Sequence, residues 1–250
     1  MEDSATLVGF YERAYSLDGS EAAEYARWRA LSAVGKAEHV IALCGEGGIE
    51  PASTLDVGCG DGALLRELSR AGFGGELGGM EISEPAAEIA RRDGPEASIG
   101  LFDGNSLPLE DGSFELGVLS HVLEHVPDPT ALLAEVARVC RAVVFEVPLE
   151  ANLSALRRAK REHAVEIGHL QRLGRASARK IATGAGLRVA AELQDPLPLE
   201  VHRFFAGSGR AQRAASVKWL TRASLNGVAP PLARRLFTVH YACLCVAPER

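Results

Sequence analysis

The stretch Leu55–Leu65, LDVGCGDGALL, constrains this chain more than any other: three glycines at alternate positions stand between an apolar run and a helix-forming one. A turn that needs Gly58, Gly60 and Gly62 has backbone angles closed to other residues, or lets something approach it closely. In open α/β sheets such a turn follows the first strand, where ligands bind. The segment also satisfies G-x-G-x-x-[GA], the dinucleotide fingerprint. Its acids argue otherwise. Asp61, at the helix start, competes with a pyrophosphate for the same amides, and Asp56 stands within the approach to the turn. Glu81 ends the next apolar run, where a carboxylate can accept from both ribose hydroxyls. Asp103 ends the third run, where an acceptor can meet an exocyclic adenine amine. Acids at three successive strand ends, with no basic residue among them, fit a nucleoside that carries positive charge.

The rest of the chain has the rhythm such a turn requires. TLDVG, ELGGMEI, ASIGLF, FELGVLSH and AVVFEVP read as strands. Between them lie a helix over Ala63–Ala71, one over Pro85–Arg92 opened by Ser83, and one running from after Pro129 to Val139. Strands alternating with helices of this length predict a parallel, doubly wound sheet. Residues 4–44 read as two or three helices, so residues 1–50 are expected to form an N-terminal helical cap. Residues 51–250 are expected to form one α/β domain with insertions at about 150–180 and 196–235. Helices are expected over 150–166, 175–185 and 203–224, with GLRVAAEL and FTVHYACLCVA as the last two strands.

Composition narrows the classes. No apolar run reaches the roughly 18–20 residues that cross a bilayer. The start, MEDSATLVGF, has acids where a signal peptide needs positive charge, so a cytoplasmic protein is expected. The five cysteines show no metal-ligand spacing and read as reduced, buried thiols, with no structural metal expected. Net charge is −6, but residues 1–150 carry 10 basic and 27 acidic residues, whereas residues 151–222 carry 14 basic and 5 acidic. The cationic segment either cancels the field of the acidic one or faces an anionic substrate.

With LDVGCGDG, the block LP-x₅-F-E over Leu107–Glu115 and LEHVPDP over Leu123–Pro129, the chain resembles the class I S-adenosylmethionine-dependent methyltransferases, in the group of the ubiquinone-biosynthesis type. The resemblance covers about residues 54–193. It implies a Rossmann-like seven-stranded sheet in the order 3-2-1-4-5-7-6 with the last strand antiparallel. S-adenosylmethionine is the implied cofactor, and S-adenosylhomocysteine its product. Asp56, Gly58, Cys59 and Gly60 would frame the methionine part, and Glu81 with Ile82 the ribose. Asp103, Gly104 and Asn105 would meet the adenine, with Ser120 and His121 closing over the reactive side. Glu115 stands where the family usually has Asp, and the [ND]-P-P-[YF] signature of base amino methylation is absent, SHVLEH standing there instead.

Methyl transfer to a hydroxyl gains from a base. His121 and His169 are the candidate catalytic residues; His121 and His125, four apart, could share a helical face. Tyr11, Tyr15, Trp28, His125 and His169 are the candidate acceptor contacts, the aromatics as a cap that excludes water. The expected function is methyl transfer to oxygen or nitrogen of a small acceptor, anionic acceptors included, by a monomer or homodimer. An RNA or protein methyltransferase, an NAD-dependent oxidoreductase and a non-catalytic nucleoside-binding module remain alternatives. Phe204, Phe205 and Trp219 are sparse aromatic interleaving for a nucleic-acid surface.

Overall fold

A computed structural model of the chain describes residues 9, 15, 16 and 19–248. In chain order these form α1 (Gly19–Gly47), β1 (Ser53–Val57), α2 (Ala63–Arg70), β2 (Glu76–Glu81), α3 (Glu84–Asp93), β3 (Ala97–Leu101), β4 (Phe114–Ser120), α4 (Pro129–Val139) and β5 (Cys140–Pro148). A 3₁₀ turn (Leu153–Leu156), α5 (Arg158–Glu166), α6 (Arg175–Gly184), β6 (Arg188–Asp195), α7 (Leu199–Arg203), α8 (Gly209–Val228), α9 (Pro230–Leu236) and β7 (His240–Val246) complete it.

The strands make one seven-stranded sheet in the order β3-β2-β1-β4-β5-β7-β6. β1 to β5 run parallel, and β7 lies antiparallel between β5 and β6. This order matches the expectation and departs from the all-parallel 3-2-1-4-5-6 of dinucleotide-binding folds. Both faces of the sheet are covered, which is why its central strands are apolar at successive positions rather than alternately. On β5, Val143, Phe145 and Val147 join a core with Leu132, Leu133 and Val136 of α4 and Ile181 of α6. Ala142 and Val144 face the other way, toward Val40 and Leu43 of α1 and Leu64 and Leu68 of α2. Each such buried Val or Leu stabilises by about 1.5–3 kcal/mol, so Leu43→Ala would cost about 2–5 kcal/mol.

Local signals set the helix starts. Ser83 caps α3, its hydroxyl accepting from the Ala86 amide, and Asp128 caps α4 by accepting from the amides of Thr130 and Ala131. Residues 19–47 form one helix of 29 residues, α1, whose second half lays its apolar stripe on the sheet; Gly9 and Tyr15, before it, are helical as well. Two expectations need correction. The expected helix over 150–166 is a 3₁₀ turn followed by α5, since Asn152 caps the short turn by accepting from the Ala155 amide. The expected 203–224 helix is present as α8, which starts later, at Gly209, where Ser208 caps it, and runs on to Val228; α7 is a separate short helix before it. Among the described residues no helix is long and apolar enough to cross a membrane. All five cysteines are free and buried.

Candidate functional site

The parallel strands β1, β2, β4 and β5 end on one rim of the sheet. Because β7 runs the other way, its first residue, His240, reaches that same rim opposite Pro148 of β5. Asp195, the last residue of β6, pairs with His240 and joins it there. The rim therefore gathers the ends of the six parallel strands β1–β6 and the start of the antiparallel β7.

At the β1–β2 end the turn Gly58–Gly62 is left-handed at each glycine, with φ of 78° at Gly58 and 55° at Gly60. A Cβ at Gly58 would lie 2.6 Å from a methyl of Val122, and one at Gly60 would run into the Tyr15 hydroxyl. Both positions are thus closed to larger residues by angle and by space. The Glu81 carboxylate is buried and accepts from three amides: Gly60 at 2.8 Å, Ile82 at 2.9 Å and Ser83 at 3.0 Å. Burial raises its pKa, against the pull of those amides. Asp56 is buried at the end of β1; desolvation lifts its pKa to about 7, with the Lys36 ammonium opposing and Glu81 adding. Cys59 is buried beneath the turn, which pushes its thiol well up.

Asp61 departs from expectation. Its carboxylate pairs with Arg29 of α1 at 2.6 Å and with Arg66 of α2 at 3.5 Å, and accepts from the Ala63 amide. The acids are therefore not free of basic partners: tertiary folding brings Arg29, Arg66 and Lys36 to them, and Asp61 is neutralised within the protein. The Arg29 guanidinium also lies 4.6 Å over the Tyr15 ring. Asp103 is exposed, and one of its oxygens accepts from the amides of Asn105 at 2.8 Å and Ser106 at 2.7 Å. Those bonds lower its pKa. Gly104, at φ 86°, turns the loop beside it.

The β4–β5–β7 end is built differently. His121 follows β4 with φ of 61°, a left-handed angle rare for a non-glycine residue and costing about 1–3 kcal/mol. The segment from 121 to 127 is a turn rather than a helix, so His121 and His125 do not share a helical face; α4 begins only at Pro129. Instead, the His121 Nδ1 donates to Glu124 Oε1 at 2.9 Å, and its Nε2 lies 2.9 Å from His240 Nδ1 and 3.4 Å from Glu146 Oε1. His240 Nδ1 is 3.0 Å from the same Glu146 oxygen. His39 of α1 donates to Glu146 Oε2 and to Asp195 Oδ2, each at 2.9 Å.

Charge in this group is set by competition. Burial lowers His39, but the Asp195 and Glu146 carboxylates outweigh it and hold the imidazole up at about 10. Burial would raise Glu124, yet His121 and His125 bring it down to about 2. Burial likewise works against the ionised Glu146, and three histidines reverse it, holding the carboxyl well below the usual range. Burial and Lys36 push His121 down, and Glu124 with Glu146 raises it overall. His240 is lowered, by burial and by its His121 neighbour.

His125 donates toward the Gly168 carbonyl at 3.1 Å, and its ring stands edge-on to that of His169, 4.8 Å between centroids. His169 donates from Nδ1 to Glu150 Oε2 at 2.8 Å. The structure thus brings His121, Glu124, His125 and His169 into one contiguous group. Near Glu150, Lys160 crowds against Arg222 and Arg157; desolvation and those guanidiniums lower its pKa. Tyr15 covers Gly60, whereas Trp28 turns to Phe205, 6.3 Å between ring centroids, so the expected aromatic cap is divided. Tyr11 lies outside the described residues. Sequence reasoning missed His39, Glu146, Asp195 and His240. One signal was present: Glu146 is a lone acid inside the apolar run AVVFEVP.

A nucleoside with a charged amino-acid tail fits the β1–β2 end on three observations. The turn closes to any Cβ, a buried carboxylate stands at each of the first two strand ends, and the buried Ser120 hydroxyl at the end of β4 has no hydrogen-bond partner.

Residues 55–143 match a family described as a methyltransferase domain. Over 93 residues the chain is 42% identical to an uncharacterized 37.1 kDa protein in a transposon of Streptomyces fradiae, covering 36% of this chain and 27% of that one. It is 32% identical over 104 residues to a ubiquinone biosynthesis O-methyltransferase of Bordetella avium, covering 39% of this chain and 40% of that one. The matches span less than half the length of either relative. Among solved structures, magnesium protoporphyrin IX methyltransferase of Synechocystis superposes with a TM-score of 0.58 at 16% identity, over 98% of this chain and 99% of that one. The family match is confined to residues 55–143, and beyond it the superposition shows a shared fold over the described residues.

Proposed function

We propose that the chain transfers the methyl group of S-adenosylmethionine to an oxygen of a small acceptor that carries negative charge. The carrying observation is the pair of buried carboxylates, Asp56 and Glu81, around a glycine turn that no Cβ can enter. Glu81 would receive the ribose hydroxyls, and Asp56 the ammonium group of the methionine part. Asp103, Gly104 and Asn105 would line the adenine, and the orphaned Ser120 hydroxyl would find its partner in the bound cofactor. The cofactor supplies an electrophilic methyl on a sulfonium.

The protein's own part is to align the acceptor with that methyl and to exclude water, since in-line positioning accounts for much of the rate. Tyr15, lying over Gly60, serves exclusion. His169 is the base in this reading: Glu150 accepts the hydrogen bond from its Nδ1–H, which fixes the tautomer and leaves Nε2 to receive a proton from a hydroxyl. Lys160, Arg157 and Arg222 beside Glu150 support an anionic acceptor. The relatives named for ubiquinone biosynthesis and for magnesium protoporphyrin IX support a small acceptor. In this reading residues 1–50 are the cap of a domain spanning 51–250.

Calorimetry with S-adenosylmethionine, S-adenosylhomocysteine and NAD tests the cofactor. Binding of either adenosyl compound and none of NAD is expected; tighter NAD binding would overturn the reading. Methyl-labelled cofactor added to a metabolite extract, read by mass spectrometry, then identifies the acceptor.

A further inference from the structure

Three ligand atoms from three separate strand ends converge at the β4–β5–β7 corner: His121 Nε2, His240 Nδ1 and Glu146 Oε1. Their separations are 2.9, 3.0 and 3.4 Å. An ion with bonds of about 2.1 Å holds adjacent ligands about 3.0 Å apart in octahedral geometry and about 3.4 Å apart in tetrahedral geometry. The triangle therefore has the dimensions of one face of a coordination polyhedron. We propose that His121, His240 and Glu146 form a binding site for a first-row divalent cation of the zinc or cobalt type, a claim that stands independently of methyl transfer.

The surroundings have the form such sites take. A ligating histidine commonly gives its other ring N–H to a carboxylate, which fixes the tautomer. His121 does so, its Nδ1 donating to Glu124 Oε1 at 2.9 Å. That bond leaves Nε2 as the atom that faces His240. Glu146 is braced on its second oxygen by His39, which Asp195 holds in turn. The His121 backbone is in the left-handed region at φ 61°, so the local fold accepts strain to place this side chain. Two imidazoles and one carboxylate suit borderline cations better than magnesium or calcium, which take all-oxygen sets. Of the nearby charges, Lys36 and the His39 imidazolium are positive, while Glu124, Glu146 and Asp195 are negative.

In the ion-free protein the close approach of two ring nitrogens requires one of them to carry a proton toward the other. Such an ion would be a Lewis acid on the rim that carries the proposed acceptor site.

The neighbouring group Glu124, His125 and His169 is the competing location, and the test separates the two. The full-length protein is stripped with EDTA and titrated with Co²⁺, read by visible absorption and calorimetry. One saturable equivalent with a nitrogen- and oxygen-ligated spectrum is expected. His240→Ala and Glu146→Gln are each expected to remove it. Glu124→Gln, which loosens the support of His121, is expected to weaken it about 10–100-fold. His169→Ala is expected to leave the Co²⁺ spectrum unchanged. Circular dichroism and S-adenosylhomocysteine calorimetry on each variant keep misfolding and failure of the cofactor reading apart from loss of the ion site. Absence of saturable uptake by the folded wild-type protein overturns the proposal, as does a spectrum that survives His240→Ala and vanishes in His169→Ala.

Discussion

At the β1–β2 end of the rim, polar contacts are made largely by backbone: Glu81 accepts from three amides, and the glycines have left-handed angles with no Cβ to spare. At the β4–β5–β7 end they are made by side chains, with His39, His121 and His240 all meeting Glu146. The first arrangement is rigid and shaped to one ligand outline. The second can exchange protons or an ion among its members without moving the chain. In the proposed reading binding is concentrated at one end and chemistry at the other, so variants at the two ends should fail in different ways.

The largest expected effect sharpens that division. His169→Ala should lower single-turnover methyl transfer by about 10²–10⁴ while leaving S-adenosylhomocysteine affinity as it was. A parallel loss of cofactor affinity would break the comparison, because the two ends would then be one site.

Asp56 supplies the next effect, through pH. Its folded-state pKa is raised to about 7, far above an ordinary carboxyl, so the free protein holds a proton there that the unfolded chain has lost. Stability from this group is therefore greatest below about pH 4, declines as pH rises toward about 7, and is level above. Asp56→Asn should remove that decline, gaining about 3–4 kcal/mol over wild type at pH 8 relative to pH 4 in urea titrations. Because the ligand's ammonium favours ionised Asp56, S-adenosylhomocysteine should bind more tightly as pH rises through about 7, and below it release a proton detectable calorimetrically in two buffers. A flat pH profile identical to that of Asp56→Asn would remove Asp56 from the cofactor site.

Glu81→Ala should weaken cofactor binding by about 1.5–3 kcal/mol, since a charged acceptor is lost. Part of the loss belongs to the turn itself, because Glu81 also holds the Gly60 amide; Glu81→Gln, which keeps one acceptor oxygen, should recover some of it. Equal affinity in wild type and Glu81→Ala would show that the ribose lies elsewhere. Asp103→Ala should give the smallest change, about 0.5–1.5 kcal/mol in cofactor affinity. One of its oxygens is already committed to Asn105 and Ser106. A loss larger than that of Glu81→Ala would reverse the order of importance of the two loops.

Much of the first end was legible in the chain. Gly58, Gly60 and Gly62 announce a turn because only glycine tolerates those angles, and Glu81 is placed by the length of one helix and one strand. The strand rhythm likewise predicts the parallel half of the sheet. Asp61 accepts from an amide at the helix start, as its position suggests, but its partner Arg29 was not legible, lying 32 residues earlier on a helix whose docking on the sheet no local pattern reports. The reading of His121 and His125 as a helical pair failed for a related reason. Spacing of four suggests a helix, but the Asp128 cap and Pro129 start the helix later, and His121 adopts a left-handed angle.

By itself, then, the sequence determined what depends on neighbours along the chain: the glycine turn, the helix caps, and strands apolar enough to be buried on both faces. Only the tertiary structure decided which side chains meet at the rim. Glu146 finds His39 across 107 residues and His240 across 94, and His121 finds His240 across 119. Those meetings follow from β7 entering the sheet antiparallel, which carries the start of the last strand to where the others end. Strand direction is chosen by the packing of the whole sheet, and no single stretch of residues encodes it.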